Sequence, residues 1–391
     1  MENDAKYHGV ALNEAQYEKA MNELSLPPVV NLFREKRNNN HFIDTQKNPS
    51  DIKAKTADIM VGEPLIYGKD DRLDNRSAFG NALKNIAELN KKQNNSSLMA
   101  VIDCDLVGSV KTNGFQSVLP QYFFQAGIQE HNAATIAGAL STQDILTFFA
   151  DFGVFGICET YNQQRLNDIN NSNLKLICTH IGLDVGEDGK THQCIDYIGL
   201  FQNLFGYKIL LPADPNQTDK ATRYMSKTPG NFLLGMGRSK IPVIVNESGR
   251  PFFGDGYKFT YGKIDVVREG NDAVIMTYGG MLHRAVQAWE ILRQKQISVQ
   301  VLNVCCPKDP EEAALINAAG IGPIITYEDH NVHTGLGSIV ASRLLSMNLS
   351  AQLIMLGIKG YGLSGAPDEL YKSANLDVDS LVRTVEMLLK A

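Results

Sequence analysis

Gln125-Ala126-Gly127-Ile128-Gln129-Glu130-His131-Asn132-Ala133-Ala134 sets a carboxylate, Glu130, where an extended run from Gln121 to Phe124 meets a helix of small residues from Ala133 to Leu140. Close Ala and Gly packing suits burial, so the pattern places Glu130 in the interior. A carboxyl group withdrawn from water without a cation beside it is pushed toward a higher pKa, which lets it hold and share a proton near neutral pH. On these ten residues a second reading stands beside the first: a glutamate in the first turn of a helix, favoured there by the helix dipole.

Working outward, the pattern alternates. Upstream, a helical spacing from Asp74 (Phe79, Leu83, Ile86, Leu89) leads into the apolar strand Leu98 to Ile102, which ends in Asp103-Cys104-Asp105-Leu106-Val107-Gly108-Ser109. Downstream the expected order is strand Ile145 to Phe149, helix 157–168, strand Leu174 to Thr179, helix 195–204, strand Tyr207 to Leu211, helix Gln217 to Ser226 and strand Phe232 to Met236. That order predicts a doubly wound α/β domain, whose ligands bind at the carboxyl ends of the strands. A hairpin-like stretch, Gly254 to Gly262, precedes a second and smaller α/β series. Its strands are Ala273 to Tyr278, Ser298 to Asn303 and Ile324 to Glu328, with helices near 282–294, 311–318 and 335–346. Residues 1–70 are polar and broken: a helix from Glu14 to Leu24, then Pro27-Pro28, Asn38-Asn39-Asn40 and Lys47 to Lys55. Such a composition builds no core, so this segment is expected to pack on another surface or a partner.

The 391 residues are 43% hydrophobic and 20% charged, as in soluble chains with two or three domains. A net charge of −6 disfavours nucleic acid and anionic membrane as partners, while leaving room for a local basic pocket that takes a small phosphate. Six cysteines without a CxxC pair fit buried, reduced thiols and a cytoplasmic chain. No positively charged start leads into an apolar run, and no eighteen apolar residues are contiguous.

Three further segments carry chemistry. Asp151-Phe152-Gly153-Val154-Phe155 offers two aromatics three apart, able to flank a flat ring, though core packing explains them equally well. Thr179-His180-Ile181-Gly182-Leu183-Asp184-Val185-Gly186-Glu187-Asp188-Gly189-Lys190-Thr191-His192 gathers two histidines and acids in a glycine-rich loop after a strand, suited to a hydroxylated carbonyl substrate. A metal site is the rival there, without the helical His pair or Cys cluster of tight zinc sites. Gly237-Arg238-Ser239 places a guanidinium at a strand end where it can grip a phosphate with two bonds; its other reading is a surface arginine.

Together these segments resemble the second half of the transketolase family, from about Tyr7 to the end. Gly127-Ile128-Gln129-Glu130-His131 resembles the family's catalytic-glutamate motif. His180, Asp188 and His192 are similar to its His, Asp, His loop, and Asp105-Leu106-Val107-Gly108-Ser109 to its ADLxxS turn. Phe152 and Phe155 resemble its aromatic pair, and Arg76 and Arg238 its two phosphate-binding arginines. Tyr327-Glu328-Asp329-His330 and Ser364-Gly365-Ala366-Pro367 look like the animal-type C-terminal domain, and Tyr7 to Leu12 like the linker that leaves the family's first domain.

The resemblance implies three segments: an extension over 1–70 packing on a partner, a pyrimidine-binding domain over 71–248, and a transketolase C-terminal domain over 249–391. It implies thiamine diphosphate as cofactor, with Glu130 at N1′ of the aminopyrimidine, Phe152 and Phe155 on its faces, and Asp105 and Leu106 beside it. His180, His192 and Asp188 would hold the substrate, and Arg76, Ser109 and Arg238 its phosphate. No GDG...N motif stands upstream of residue 70, so the resemblance implies a split enzyme. A partner subunit would bind the diphosphate with Mg2+ or Ca2+, no metal would be held by this chain, and the assembly would be α2β2. The alternatives are a deoxyxylulose-phosphate synthase-like subunit, a 2-oxo-acid dehydrogenase beta-like subunit, and a non-catalytic relative that kept the fold.

Overall fold

The computed structural model describes residues 12–23 and 57–390; the features expected at residues 7–11, Pro27-Pro28, 38–40 and 47–55 lie outside them. The chain divides into a unit over residues 1–52 and a second from residue 53 onward. In the first, helix α1 (Glu14–Glu23) opens with a reciprocal cap. Asn13 N donates to Gln16 Oε1 at 3.0 Å, and Gln16 N to Asn13 Oδ1 at 2.9 Å.

The second unit begins with residues that do not wait for a partner. Ala57 and Ile59 are buried, Met60 N donates to Asn90 Oδ1, and Tyr67 exchanges two hydrogen bonds with Asn216. The end of the expected extension therefore packs on this chain's own helices, because its few apolar residues find a groove there.

The elements that follow are β1 (Arg72–Leu73), α2 (Asn75–Lys92), β2 (Met99–Asp103), α3 (Asn113–Val118), β3 (Phe123–Gln125), α4 (Glu130–Ser141), β4 (Leu146–Phe152), α5 (Tyr161–Ile169), β5 (Leu174–Thr179), α6 (Tyr197–Phe201), β6 (Lys208–Leu210), α7 (Pro215–Lys227) and β7 (Phe232–Gly235). Six strands form one parallel sheet in the order β3-β2-β4-β5-β7-β6. Its central strands are buried on both faces, as parallel sheets require. On β4, Phe148 packs with Phe79, Leu83 and Ile86 of α2, while the next residue, Phe149, packs with Ala133, Ala134 and Ala137 of α4.

After β8 (Ile241–Pro242), which pairs with β1, the smaller domain contains β9 (Asp265–Arg268), β10 (Ala273–Thr277), α8 (Leu282–Gln294), β11 (Val299–Asn303), α9 (Glu312–Ile321), β12 (Ile324–Asn331), α10 (Leu336–Ser346), β13 (Leu353–Ile358), α11 (Pro367–Ser373) and α12 (Val378–Lys390). Its sheet runs β13-β12-β10-β11-β9, parallel except for β9. One apolar cluster continues from the large domain into this one, joining Tyr197 and Phe201 to Leu336 and Val340.

Three expectations change. Gly254 to Gly262 forms turns rather than a paired hairpin, its aromatic residues being drawn inward: Phe259 is buried and Tyr257 and Tyr261 are half-buried. Strand β4 runs to Phe152, so Asp151 and Phe152 end the strand instead of following it. The next helix starts earlier, as a π-turn over Val154–Glu159. Among the described residues, no helix is long and apolar enough to cross a membrane.

Candidate active site

The strand register gathers the sequence motifs on one edge. Asp103 pairs with Gln125 on β3 and Ala150 on β4, and Phe152 pairs with Thr179 on β5. The turns after β2, β4, β5 and β7 therefore meet at the carboxyl edge of the sheet, where an open parallel sheet leaves room for ligands.

Glu130 is the first residue of α4 and only 9% exposed. Gln129, at the cap position, offers no side-chain bond to the helix, so the first turn is set from the preceding loop. In that loop Gln125 Oε1 accepts from Asp105 N at 2.7 Å and Gly127 N at 3.0 Å, and Gln125 Nε2 donates to Asp103 Oδ1 at 3.1 Å. Asp103 also accepts from Leu106 N at 2.8 Å and Thr112 Oγ1 at 2.8 Å, which fixes the Asp105-Leu106 turn beside Glu130's loop. Among the described residues the Glu130 carboxylate accepts no hydrogen bond, so it remains available to a donor from outside.

A second carboxyl group lies close by. Asp151 is fully buried; Oδ1 accepts from Phe152 N at 2.7 Å and Oδ2 meets no partner. Burial, with the charges of Glu130 and Asp103 added, pushes its pKa up to about 8, so it carries a proton at neutral pH. In sequence this pentapeptide draws attention by its aromatics; the signal for the acid is an Asp inside an otherwise apolar strand end.

Phe152 and Phe155 stack, with ring centroids 6.1 Å apart and planes 13° from parallel. His180, in the left-handed region at φ 58°, turns back over Phe152 at 3.8 Å between centroids. Burial first, then Arg76, Arg238 and His192, holds its pKa down to about 3, so the ring is neutral. Arg76 Nη1, which can only donate, faces Nε2 at 3.5 Å, and Thr179 Oγ1 lies 2.8 Å from Nδ1. That arrangement puts the ring proton on Nδ1. His192 stands edge-on to Phe155 at 5.5 Å, half-buried, with Nδ1 3.0 Å from Thr191 Oγ1; Asp188 is exposed on the same loop.

The two arginines come together, and neither guanidinium is idle. Arg76 donates from Nη1 to Ser109 O at 3.0 Å and from Nη2 to Arg238 O at 2.8 Å, and its Nε lies 3.3 Å from Asp74 Oδ1. Arg238 donates from Nη1 to Val185 O at 2.8 Å and Glu187 Oε2 at 2.9 Å. Asp184 holds the turn by accepting from Ser239 N at 2.6 Å. Gly237 is required there, since a Cβ would lie 2.4 Å from Asp184 Oδ2. Gly182, at φ 73°, is required likewise, because a Cβ would meet Asp329 Oδ2 at 2.0 Å. A cavity of about 400 Å3, lined by Asp184, Ser239, Arg284 and Tyr371 among others, lies beside this turn and includes none of Glu130, Phe152 or His192.

This edge suits the pyrimidine half of thiamine diphosphate: it offers the stacked Phe152 and Phe155, Asp151 with its unpartnered Oδ2, and the buried Glu130, whose charge acts on Asp151. Among the described residues no group of three or more His, Cys, Asp or Glu could hold a metal ion.

Residues 71–242 match the family model "Transketolase, pyrimidine binding domain" and residues 262–381 match "Transketolase, C-terminal domain". A Methanocaldococcus jannaschii protein named for the C-terminal section of a transketolase is 30% identical over 312 residues, covering 79% of this chain and 94% of that one. Transketolase of Mus musculus is 24% identical across 99% of this chain, which spans only 59% of that protein's length. A solved split-gene transketolase, described as an inactive beta4 tetramer, superposes with a TM-score of 0.71 at 28% identity, covering 81% of this chain and 99% of that one. The deoxyxylulose-phosphate synthase-like and dehydrogenase-like readings are not favoured by these matches. The chain belongs to the transketolase family, and its two α/β domains are that family's pyrimidine-binding and C-terminal domains.

Proposed function

We propose that this chain is the C-terminal subunit of a two-chain transketolase, which moves a two-carbon ketol unit from a ketose phosphate to an aldose phosphate. The observation that carries the reading is Glu130, buried, accepting no hydrogen bond among the described residues, and near enough to act on Asp151, the neighbour of the stacked Phe152. Thiamine diphosphate, when bound, supplies the carbon nucleophile that accepts and releases the two-carbon unit. Glu130 holds the proton at N1′ of the aminopyrimidine, while Phe152 and Phe155 flank and orient the ring, with the Asp105-Leu106 turn at its edge. His192, from the edge of Phe155, and the neutral His180 hold substrate oxygens, and Asp188 selects the hydroxyl next to the carbonyl. Arg76, Ser109 and Arg238 hold the terminal phosphate, Arg76 also bracing the backbone of the other two.

The diphosphate and its divalent cation, Mg2+ or Ca2+, fall to a separate N-terminal chain in this reading. Phe124, Ile128 and Ile136 are exposed around Glu130, Ile128 by 78%, and a partner chain covers them in an α2β2 assembly. The likeness to a split-gene relative supports this.

The test is exchange of the C2 proton of thiamine diphosphate, followed by NMR in the two-chain mixture, with the size of the assembly measured alongside. Glu130→Gln keeps the shape and loses the shareable proton, so exchange should fall by about 10²-fold or more while the assembly elutes unchanged. Equal exchange in the variant and the parent would remove Glu130 from this role.

A further inference from the structure

The proposed phosphate-binding arginine already has an anion on it. Glu187 Oε2 sits 2.9 Å from Arg238 Nη1, and among the described residues Arg238 has no other carboxylate partner. The glutamate is held in place from both sides. Gly186 and Gly189 take φ 71° and 74° around it, and its carbonyl accepts from Ser364 Oγ of the smaller domain at 2.5 Å. Hydrogen bonds, first from its own backbone and then from Arg238, keep its carboxyl below the usual carboxylate range, so it is charged throughout the neutral region. Both side chains stay accessible, at 41% for Arg238 and 64% for Glu187, so the pair can open without unfolding anything. By contrast, Arg76 directs its Nη groups to the carbonyls of Ser109 and Arg238, and its carboxylate neighbour, Asp74, lies at Nε.

We propose that Glu187 is a specificity-determining residue: its carboxylate occupies the anion position on Arg238, and the phosphate of a sugar phosphate must displace it to bind. The inference rests on the phosphate pocket proposed above. Displacement lowers affinity for every ligand that needs Arg238 Nη1 and leaves ligands without an anionic end untouched. Glu187 therefore sets how strongly phosphorylated sugars are preferred over free ones, and it returns to Arg238 as a phosphorylated product leaves. An exposed ion pair is a weak competitor, so the factor is small.

The test titrates the full chain with inorganic phosphate at constant ionic strength and pH 7.5, by calorimetry. Glu187→Gln, whose neutral amide competes less, should tighten phosphate binding by about two- to fivefold, a range set by the modest strength of exposed ion pairs. Arg238→Ala should weaken binding, and Glu187→Gln should have no further effect in the Arg238→Ala background. Phosphate binding to Glu187→Gln equal to or weaker than that to the parent overturns the competitor role while Arg238→Ala still reports the pocket. Phosphate affinity indifferent to Arg238→Ala, or no phosphate binding to any of the proteins, overturns the pocket and the inference with it.

Discussion

At the scale of single residues, Arg238 is the proposed ligand contact whose loss is simplest to read. Arg238→Ala should raise KM for phosphorylated substrates by roughly ten- to a hundredfold, since charge-assisted hydrogen bonds contribute about 1.5 to 3 kcal/mol each. Lysine, a point charge that cannot fork, should fall between, and hydroxypyruvate, which has no phosphate, should be nearly unaffected. Matched kcat/KM values check this, and equal losses for both substrate classes would make Arg238 structural. Arg238 stands out in the sequence because it follows a buried strand, and Arg76 through the family resemblance. Their partners do not. Arg238 meets Glu187, 51 positions away, and Arg76 meets Ser109 and Arg238 through backbone carbonyls, which no spacing in a sequence announces. The proton on Asp151 was hidden for the same reason: it follows from burial and from Glu130 and Asp103, which lie on different elements.

At the scale of elements, the strong periodic segments were readable, since apolar repeats of 3.6 and continuous β-branched runs leave few alternatives. Helix α2 shows the mechanism. Asp74 caps it, its Oδ1 accepting from Ser77 N at 2.9 Å and its Oδ2 from Ser77 Oγ at 3.0 Å, and Phe79, Leu83 and Ile86 fill the sheet face. Asp74→Ala should cost about 1 kcal/mol, or roughly 2–4 °C in Tm for a domain of this size. It should also loosen Arg76, which leans on the same carboxylate, so phosphate affinity should fall along with Tm; thermal melts and phosphate titration read the two effects separately. A variant with unchanged Tm would mean the cap contributes nothing. Strands β9 and β13 and helix α12 escaped the sequence reading. The first is short and antiparallel, and Leu353–Ile358 is a half-covered edge strand without a continuous buried run. Gly254 to Gly262 misled in the opposite direction, because alternating aromatics there serve burial under turns instead of strand pairing.

At the scale of the whole molecule, two buried carboxyls of the smaller domain, one of them bonded to the larger domain, give a pH dependence of known sign. Asp329 accepts from Leu183 N and Tyr371 Oη, and Glu328 accepts from Leu336 N and Gly337 N. Burial pushes both carboxyls up to about 7. Groups raised above their unfolded values, near 4, stabilise the fold fully at low pH and lose that contribution as pH rises through 7. The buried His283 and His330, held down to about 4, act oppositely and lose their contribution as pH falls below about 6.5, the unfolded value for His. Above pH 6.5 only the acids act, so Tm should decline between pH 6.5 and 8.5, and Asp329→Asn should flatten that slope; a parent slope of the opposite sign would refute the assignment. In the proposed reading, function at this scale depends on a second chain, and the most direct measurement is two-carbon transfer with thiamine diphosphate and Mg2+ while an N-terminal transketolase chain is titrated into a fixed amount of this one. The account predicts no turnover at zero partner and a rise that breaks at one partner per chain. Full turnover by this chain alone would contradict it.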